Sequence, residues 1–173
     1  MSYSTTHISL SDEIRISYNC IRKGIQELSS FGPTTVDLFI PLLLLSTGFE
    51  RILKILFCYN FHNENNRFPS QGEMKDKGHD IKVLIEYFID TCEKFPLYQK
   101  ASARIKDLEF LRNNRDFNQL INILDGFAQK GRYYNLDTIA GIHVNYKPED
   151  FISKLLNERS EERRVGKECR SRW

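Results

Sequence analysis

Residues 38–49 read LFIPLLLLSTGF, and Asp37 precedes them while Glu50, Arg51 and Lys54 follow. An apolar stretch this short does not cross a bilayer, which takes about 20 such residues. It reads instead as the first half of a central helix that other helices surround. From Phe49 to Leu56 the pattern turns amphipathic, and Glu50 and Lys54 stand one helical turn apart in the order that favours an ion pair. Thr34 or Thr35 can cap this helix, which is expected to run to about Asn60. Pro41 lies inside the pattern, so a kink or a later helix start is expected near it.

Working outward, Ser11 followed by Asp12 and Glu13 makes a helix cap with acids in the first turn. Ile14, Ile21, Ile25 and Leu28 then recur at helical spacing, which predicts a first helix over 11–28 after a flexible segment 1–10. Gly32-Pro33 ends that unit. Residues 60–78 are rich in Asn and charge and show no period, which predicts a long mobile or partner-binding loop. A third helix starts at His79-Asp80, with Asp80 as cap, and carries Ile81, Leu84, Ile85, Phe88, Ile89 and Cys92 on one face until Pro96. Residues 97–111 form a more polar helix with a thin seam of Ile105, Leu108 and Leu111. Residues 112–115 read as a turn and Asp116 as the cap of a fifth helix, which Phe117, Leu120, Ile121, Leu124 and Phe127 turn inward and Gly131 ends. Residues 132–142 read as a loop or a short distorted helix. Pro148 with Glu149 and Asp150 opens a last helix to about residue 157, docked by Ile152, Leu155 and Leu156. The expected fold is all-α, an antiparallel bundle of four to five helices with an additional C-terminal helix, as one domain over 11–158.

The chain has 173 residues, a formal net charge of +2 and 40% hydrophobic residues. Residues 159–173 (RSEERRVGKECRSRW) resemble the in-frame translation of a sequencing adapter, which would make them a non-native tail and the native chain truncated near 158. Without them the net charge turns slightly negative, so the basic tail carries no nucleic-acid argument and DNA binding is not indicated. Cys20, Cys58 and Cys92 fall in apolar helical patterns without paired spacing, as buried free thiols in the cytoplasm would. The N-terminus has no basic region followed by an apolar run, so no signal peptide is expected. His7, His62 and His143 lack the carboxylate or cysteine companions of a metal site and are expected at the surface. No phosphate loop, dinucleotide fingerprint or Ser-His-Asp order occurs, so neither metal nor cofactor is expected.

Three features could carry function. Gly78-His79-Asp80 is helix-start chemistry on one reading; on the other, His79 meets Arg132 or Tyr133 across helices, arginine holding a phosphate while imidazole moves a proton. Arg132-Tyr133-Tyr134-Asn135 could clamp an unpaired RNA base, or the tyrosines could seal the bundle end while Arg132 pairs with Asp137 or Glu50. Glu50, Arg51 and Lys54 read as a solvated polar face, or as complementary contacts across a homodimer.

Thr47-Gly48-Phe49-Glu50-Arg51-Ile52-Leu53-Lys54, Lys77-Gly78-His79-Asp80-Ile81 and Arg132-Tyr133-Tyr134-Asn135-Leu136-Asp137, in that order, resemble the HEPN-like helical-bundle superfamily, especially its uncharacterised bacterial branches. The resemblance spans about 35–137. It implies an up-and-down bundle, frequently dimeric, and a role in RNA cleavage, in a toxin–antitoxin or phage-defence system, or in support of a nucleotidyltransferase partner. Catalytic members carry an arginine followed four to six residues later by a histidine. Here Arg132 has no histidine at that distance, and His143 lies farther on. The expectation is therefore a module acting through a protein partner or its own dimer. The alternatives are a metal-independent ribonuclease using His79 and Arg132, and an accessory subunit of a nucleotidyltransferase system.

Overall fold

The apolar run at 38–49 lies inside a long helix that neighbours cover on two sides. In the computed structural model, residues 3–29, 36–94 and 102–142 are described. Their helices are α1 (Tyr3–Ser29), α2 (Val36–Asn65), α3 (Gln71–Asp76), α4 (Ile81–Lys94), α5 (Ser102–Asn113), α6 (Arg115–Gln129) and α7 (Tyr134–Ile139), with a 3₁₀ turn at Gly131–Tyr133 before α7. No strand occurs among the described residues, and the architecture is an all-α bundle. No helix of the described residues is long and apolar enough to cross a membrane. The expected helix at 148–157 and the adapter-like tail lie outside the described residues.

One side of α2 meets α4 and α6. Leu38, Leu42, Leu45 and Leu53 of α2 close on Ile81 and Leu84 of α4 and on Ile121, Ile123, Leu124, Phe127 and Ala128 of α6. Leu124 and Phe127 have no exposed surface, and each such side chain contributes about 1.5–3 kcal/mol of apolar burial. Pro41 is buried within α2, whose start at Val36 rules out a later beginning.

The other side of α2 meets α1, by a different rule. A Cβ added at Gly48 would lie 2.6 Å from Ile21 Cγ1 and 3.0 Å from the Ser17 carbonyl oxygen, and one added at Gly24 would lie 2.7 Å from Leu45 Cγ. Two helices this close leave room only for small residues at the crossing, where Ser17 and Gly24 sit; with Leu10, at the same seven-residue spacing, they form the buried face of α1. Ser17 Oγ, fully buried, donates to the Glu13 carbonyl at 2.7 Å. The expected apolar face of α1 is thus corrected: Ile21 is half-buried, but Ile14, Ile25 and Leu28 are exposed, because size at the crossing outweighs hydrophobicity. The helix also begins at Tyr3, not Ser11, so most of the segment expected to be flexible is helical and Leu10 is buried.

The predicted loop at 60–78 needs the larger correction. α2 continues to Asn65, and α3 occupies Gln71–Asp76 behind a capping box, in which Ser70 Oγ accepts from Glu73 N at 3.3 Å and Ser70 N donates to Glu73 Oε2 at 2.7 Å. This segment runs back along α2. Arg67 lies over the Phe61 ring, Met74 Sδ is 3.4 Å from Cys58 Sγ, Lys77 Nζ lies over the Phe57 ring, and His79 reaches Glu50. Because the chain returns before α4 begins, α4 advances in the same sense as α2: Tyr87, two turns into α4, meets Asn60. α1 and α2 are antiparallel, since Glu13 pairs with Arg51 while Gly24 meets Leu45. His7 and His62, expected at the surface, instead flank the Phe68 ring at 5.9 and 4.5 Å.

Smaller differences concern caps. Asp80 caps α4 as expected, its Oδ1 accepting from Val83 N at 2.9 Å. Asn114, not Asp116, caps α6, accepting from Phe117 N at 2.8 Å. α5 keeps its thin seam, with Leu108 and Leu111 half-buried and Ile105 exposed. Cys92 is buried and Cys20 and Cys58 are half-buried, and these three are not in disulfides.

Candidate functional site

Glu50 is the acid that ends the apolar run of α2, and it is 8% exposed. A carboxylate so placed needs partners to offset lost hydration. It has three. Lys54 Nζ, one turn along α2, lies 3.0 Å from Oε1; His79 Nδ1 lies 2.7 Å from the same oxygen; Arg132 Nη2 lies 3.3 Å from Oε2. Burial by itself would raise the Glu50 carboxyl, but hydrogen bonds from Lys54 and His79, with their charges, outweigh it and hold it below its ordinary range.

Each partner arrives by a separate device. Lys54 follows from helical spacing alone. His79 is delivered by the return segment, whose last residues are held by Lys77 Nζ between the Phe57 and Tyr87 rings, at 4.9 and 4.7 Å from their centroids. Gly78 then takes φ +58, a left-handed conformation that glycine adopts at no steric cost, and turns the chain into His79. Arg132 comes from the 3₁₀ turn after α6, in which Gly131 is buried.

A second buried acid fixes the start of α4. Asp125 of α6, 6% exposed, accepts from the Ile81 backbone N–H at 2.8 Å through Oδ1 and from Gln129 Nε2 at 2.9 Å through Oδ2. It satisfies a helix-start donor from a different helix. No sequence rule for caps finds it, since the two residues lie far apart in the chain; only the inward register of α6 hints at it.

The geometry has a direction. An ionised carboxylate only accepts hydrogen bonds, so His79 presents Nδ1–H to Glu50 and, when neutral, carries its lone pair on Nε2. The His79 side chain is 66% exposed, so that nitrogen is open to a ligand. Arg132 is 24% exposed, and its Nε is buried without a hydrogen-bond partner. The cluster is thus a carboxylate outnumbered by basic groups, with one imidazole nitrogen outward.

His79 and Arg132 are brought onto different oxygens of Glu50 and not into contact with each other, and the alternative pairing of Arg132 with Glu50 is the one present. Glu50 and Lys54 are not the solvated face expected of them; the side chains are 10% and 19% exposed, because α4 and the 3₁₀ turn cover that part of α2. Arg51 points elsewhere, pairing with Glu13 of α1 at 2.6 Å. Asp80 serves as a cap. Beside Arg132, Tyr133 is 65% exposed and Asn135 is exposed, while Tyr134 is half-buried. Among the described residues no group of three or more His, Cys, Asp or Glu side chains gathers in a metal-holding arrangement. No family model matches the chain, and neither a curated protein nor a solved structure matches it.

Proposed function

We propose that the protein binds single-stranded RNA and cleaves it as a metal-independent endoribonuclease, with His79, Arg132 and Lys54 organised by Glu50. The observation that carries this reading is the convergence of the three basic side chains on one buried carboxylate. Arg132 and Lys54 hold the scissile phosphate and offset the charge that builds on it. His79 Nε2 takes the proton of the ribose 2′-hydroxyl, whose oxygen attacks the adjacent phosphorus. The bond from phosphorus to the 5′-oxygen breaks, and that oxygen leaves with a proton from water. Products are a 2′,3′-cyclic phosphate and a 5′-hydroxyl. Glu50 keeps the imidazole oriented and stabilises it once charged, as a carboxylate behind a catalytic histidine does elsewhere. Tyr133 offers its ring to an unpaired base. In this scheme the histidine comes from the return segment and not from the position after the arginine where HEPN-like ribonucleases carry it.

The test is cleavage of a short single-stranded RNA with analysis of the new ends. His79→Ala and Arg132→Ala should each lower the rate by about 100-fold or more, and a 2′-deoxy linkage should resist. Full activity in both variants, or 3′-hydroxyl ends, defeats the proposal.

A second reading, an interaction module, is favoured by a separate observation: α1 leaves Ile14, Tyr18, Ile25 and Leu28 exposed.

A further inference from the structure

α1 makes two faces from one helix. Leu10, Ser17 and Gly24 sit against α2. Beside them runs a second row, Ser11, Ile14, Tyr18, Ile21, Ile25 and Leu28, whose members are alternately three and four residues apart. That alternation is the heptad seam of a helix that pairs with another helix. Within the row Ile14 is 40%, Tyr18 63% and Ile25 54% exposed, and α2 takes up only Ile21 in part. Leaving such side chains in water along several turns forgoes the burial that the rest of the core obtains.

The flanks of the row identify what fits it. On one side lies α2. On the other, at the positions that flank a heptad seam, stand Ile8, Arg15, Arg22 and Ser29, with no acid among them. Arg15 makes an exposed pair with Asp12 at 3.1 Å, which a stronger acidic neighbour can replace. A second copy of the chain fits poorly. In antiparallel pairing, flanking positions of the same kind meet, so Arg15 and Arg22 would face their own counterparts; in parallel pairing they would face the flank that α2 occupies.

We infer that this seam of α1 binds an amphipathic helix of a partner protein, apolar along its own heptad row and acidic on the flank that meets Arg15 and Arg22. Apolar burial supplies the affinity, and the two arginines select the partner and its orientation. The inference deepens the interaction reading and does not depend on RNA cleavage.

The probe is a fluorescent three-heptad peptide with Leu along its seam and Glu at the flanking positions, compared with a peptide carrying Lys there. By anisotropy the Glu peptide should bind, and the Lys peptide should bind roughly tenfold more weakly or worse. The exposed double change Arg15→Glu with Arg22→Glu should reverse that preference without touching the core. Ile25→Asp or Tyr18→Asp should abolish binding while leaving RNA cleavage intact, and His79→Ala should bind the peptide as the wild type does. Light scattering completes the test. Absence of binding by the Glu peptide, or equal binding of both peptides, overturns the acidic partner. A wild-type dimer that Ile25→Asp converts to a monomer also overturns it, in favour of a second copy, and leaves the broader interaction reading standing.

Discussion

The two sides of α2 are covered by opposite means. Against α1 the contact is made by what is missing: at Gly24 and Gly48 atoms of the facing helix occupy the space of a Cβ. Against the return segment and the 3₁₀ turn it is made by charge, with Lys54, His79 and Arg132 drawn onto Glu50. The first side, at the glycine crossing, is intolerant of added atoms. The second tolerates shape and is intolerant of lost charge. A close backbone crossing leaves nothing for a ligand to approach, whereas the carboxylate cluster keeps the His79 ring facing outward. Room for a ligand is therefore on the second side.

That contrast breaks most sharply at its two centres. Glu50→Gln removes the negative charge while Lys54 and Arg132 stay largely covered, so stability should fall by about 3 kcal/mol in denaturant unfolding, and RNA cleavage should fall with it. The same variant should flatten the acid limb of the stability curve. The Glu50 carboxyl is lowered in the folded protein, so its contribution is complete above the ordinary value near 4.5 and is lost as pH falls through the lower folded value. Unaltered acid sensitivity in Glu50→Gln would show that other groups set that limb. On the opposite side, Gly48→Ala improves helix propensity by about 1 kcal/mol but drives a methyl group into Ile21 and the Ser17 carbonyl. A net loss of about 2 kcal/mol is expected, with RNA cleavage unchanged; a gain in melting temperature would mean that the crossing relaxes freely.

Smaller effects sharpen the charged side. Lys77→Met keeps length and loses the charge over Phe57 and Tyr87, at a cost of about 1 kcal/mol. If Lys77 positions His79, the rate at saturating RNA should drop more than KM rises, and Lys77→Arg should restore it; an effect on KM alone would make the residue structural. Smallest is the pair of Arg67 and Glu73, 2.7 Å apart at the surface. The Arg67 guanidinium and the Ser70 backbone N–H bring Glu73 down to about 2 from an ordinary 4.5. Its contribution is present above about pH 4.5 and fades toward pH 2, and Glu73→Gln should leave unfolding at neutral pH nearly as before.

What the sequence makes legible follows the same division. Helical periodicity located α4 and α6 because their apolar faces point at the core they build: Ile81, Leu84, Ile121, Leu124 and Phe127 are all buried. It misread α1, since a pattern of isoleucines says which side is apolar and not which side is close enough to need glycine. It misread 60–78 because the return segment is held by contacts with α2 that have no period, a sulfur pair and cations over rings. His79 and Arg132 stood out as candidates and Glu50 as one acid that Arg132 could pair with, but its burial and its contact with His79 were not legible, since it read as part of a solvated face. Its burial depends on chain segments far away in sequence, and local spacing carries no trace of them.

The return segment has one more consequence. It is fastened to α2 by side chains and not by a shared ladder of backbone hydrogen bonds, so it can lift away while both long helices stay wound. Its amides should accordingly swap deuterium ahead of those in α2 and α6. Each such excursion carries the imidazole off its carboxylate, which makes the working lifetime of the site a property of a short clasp rather than of the bundle beneath it.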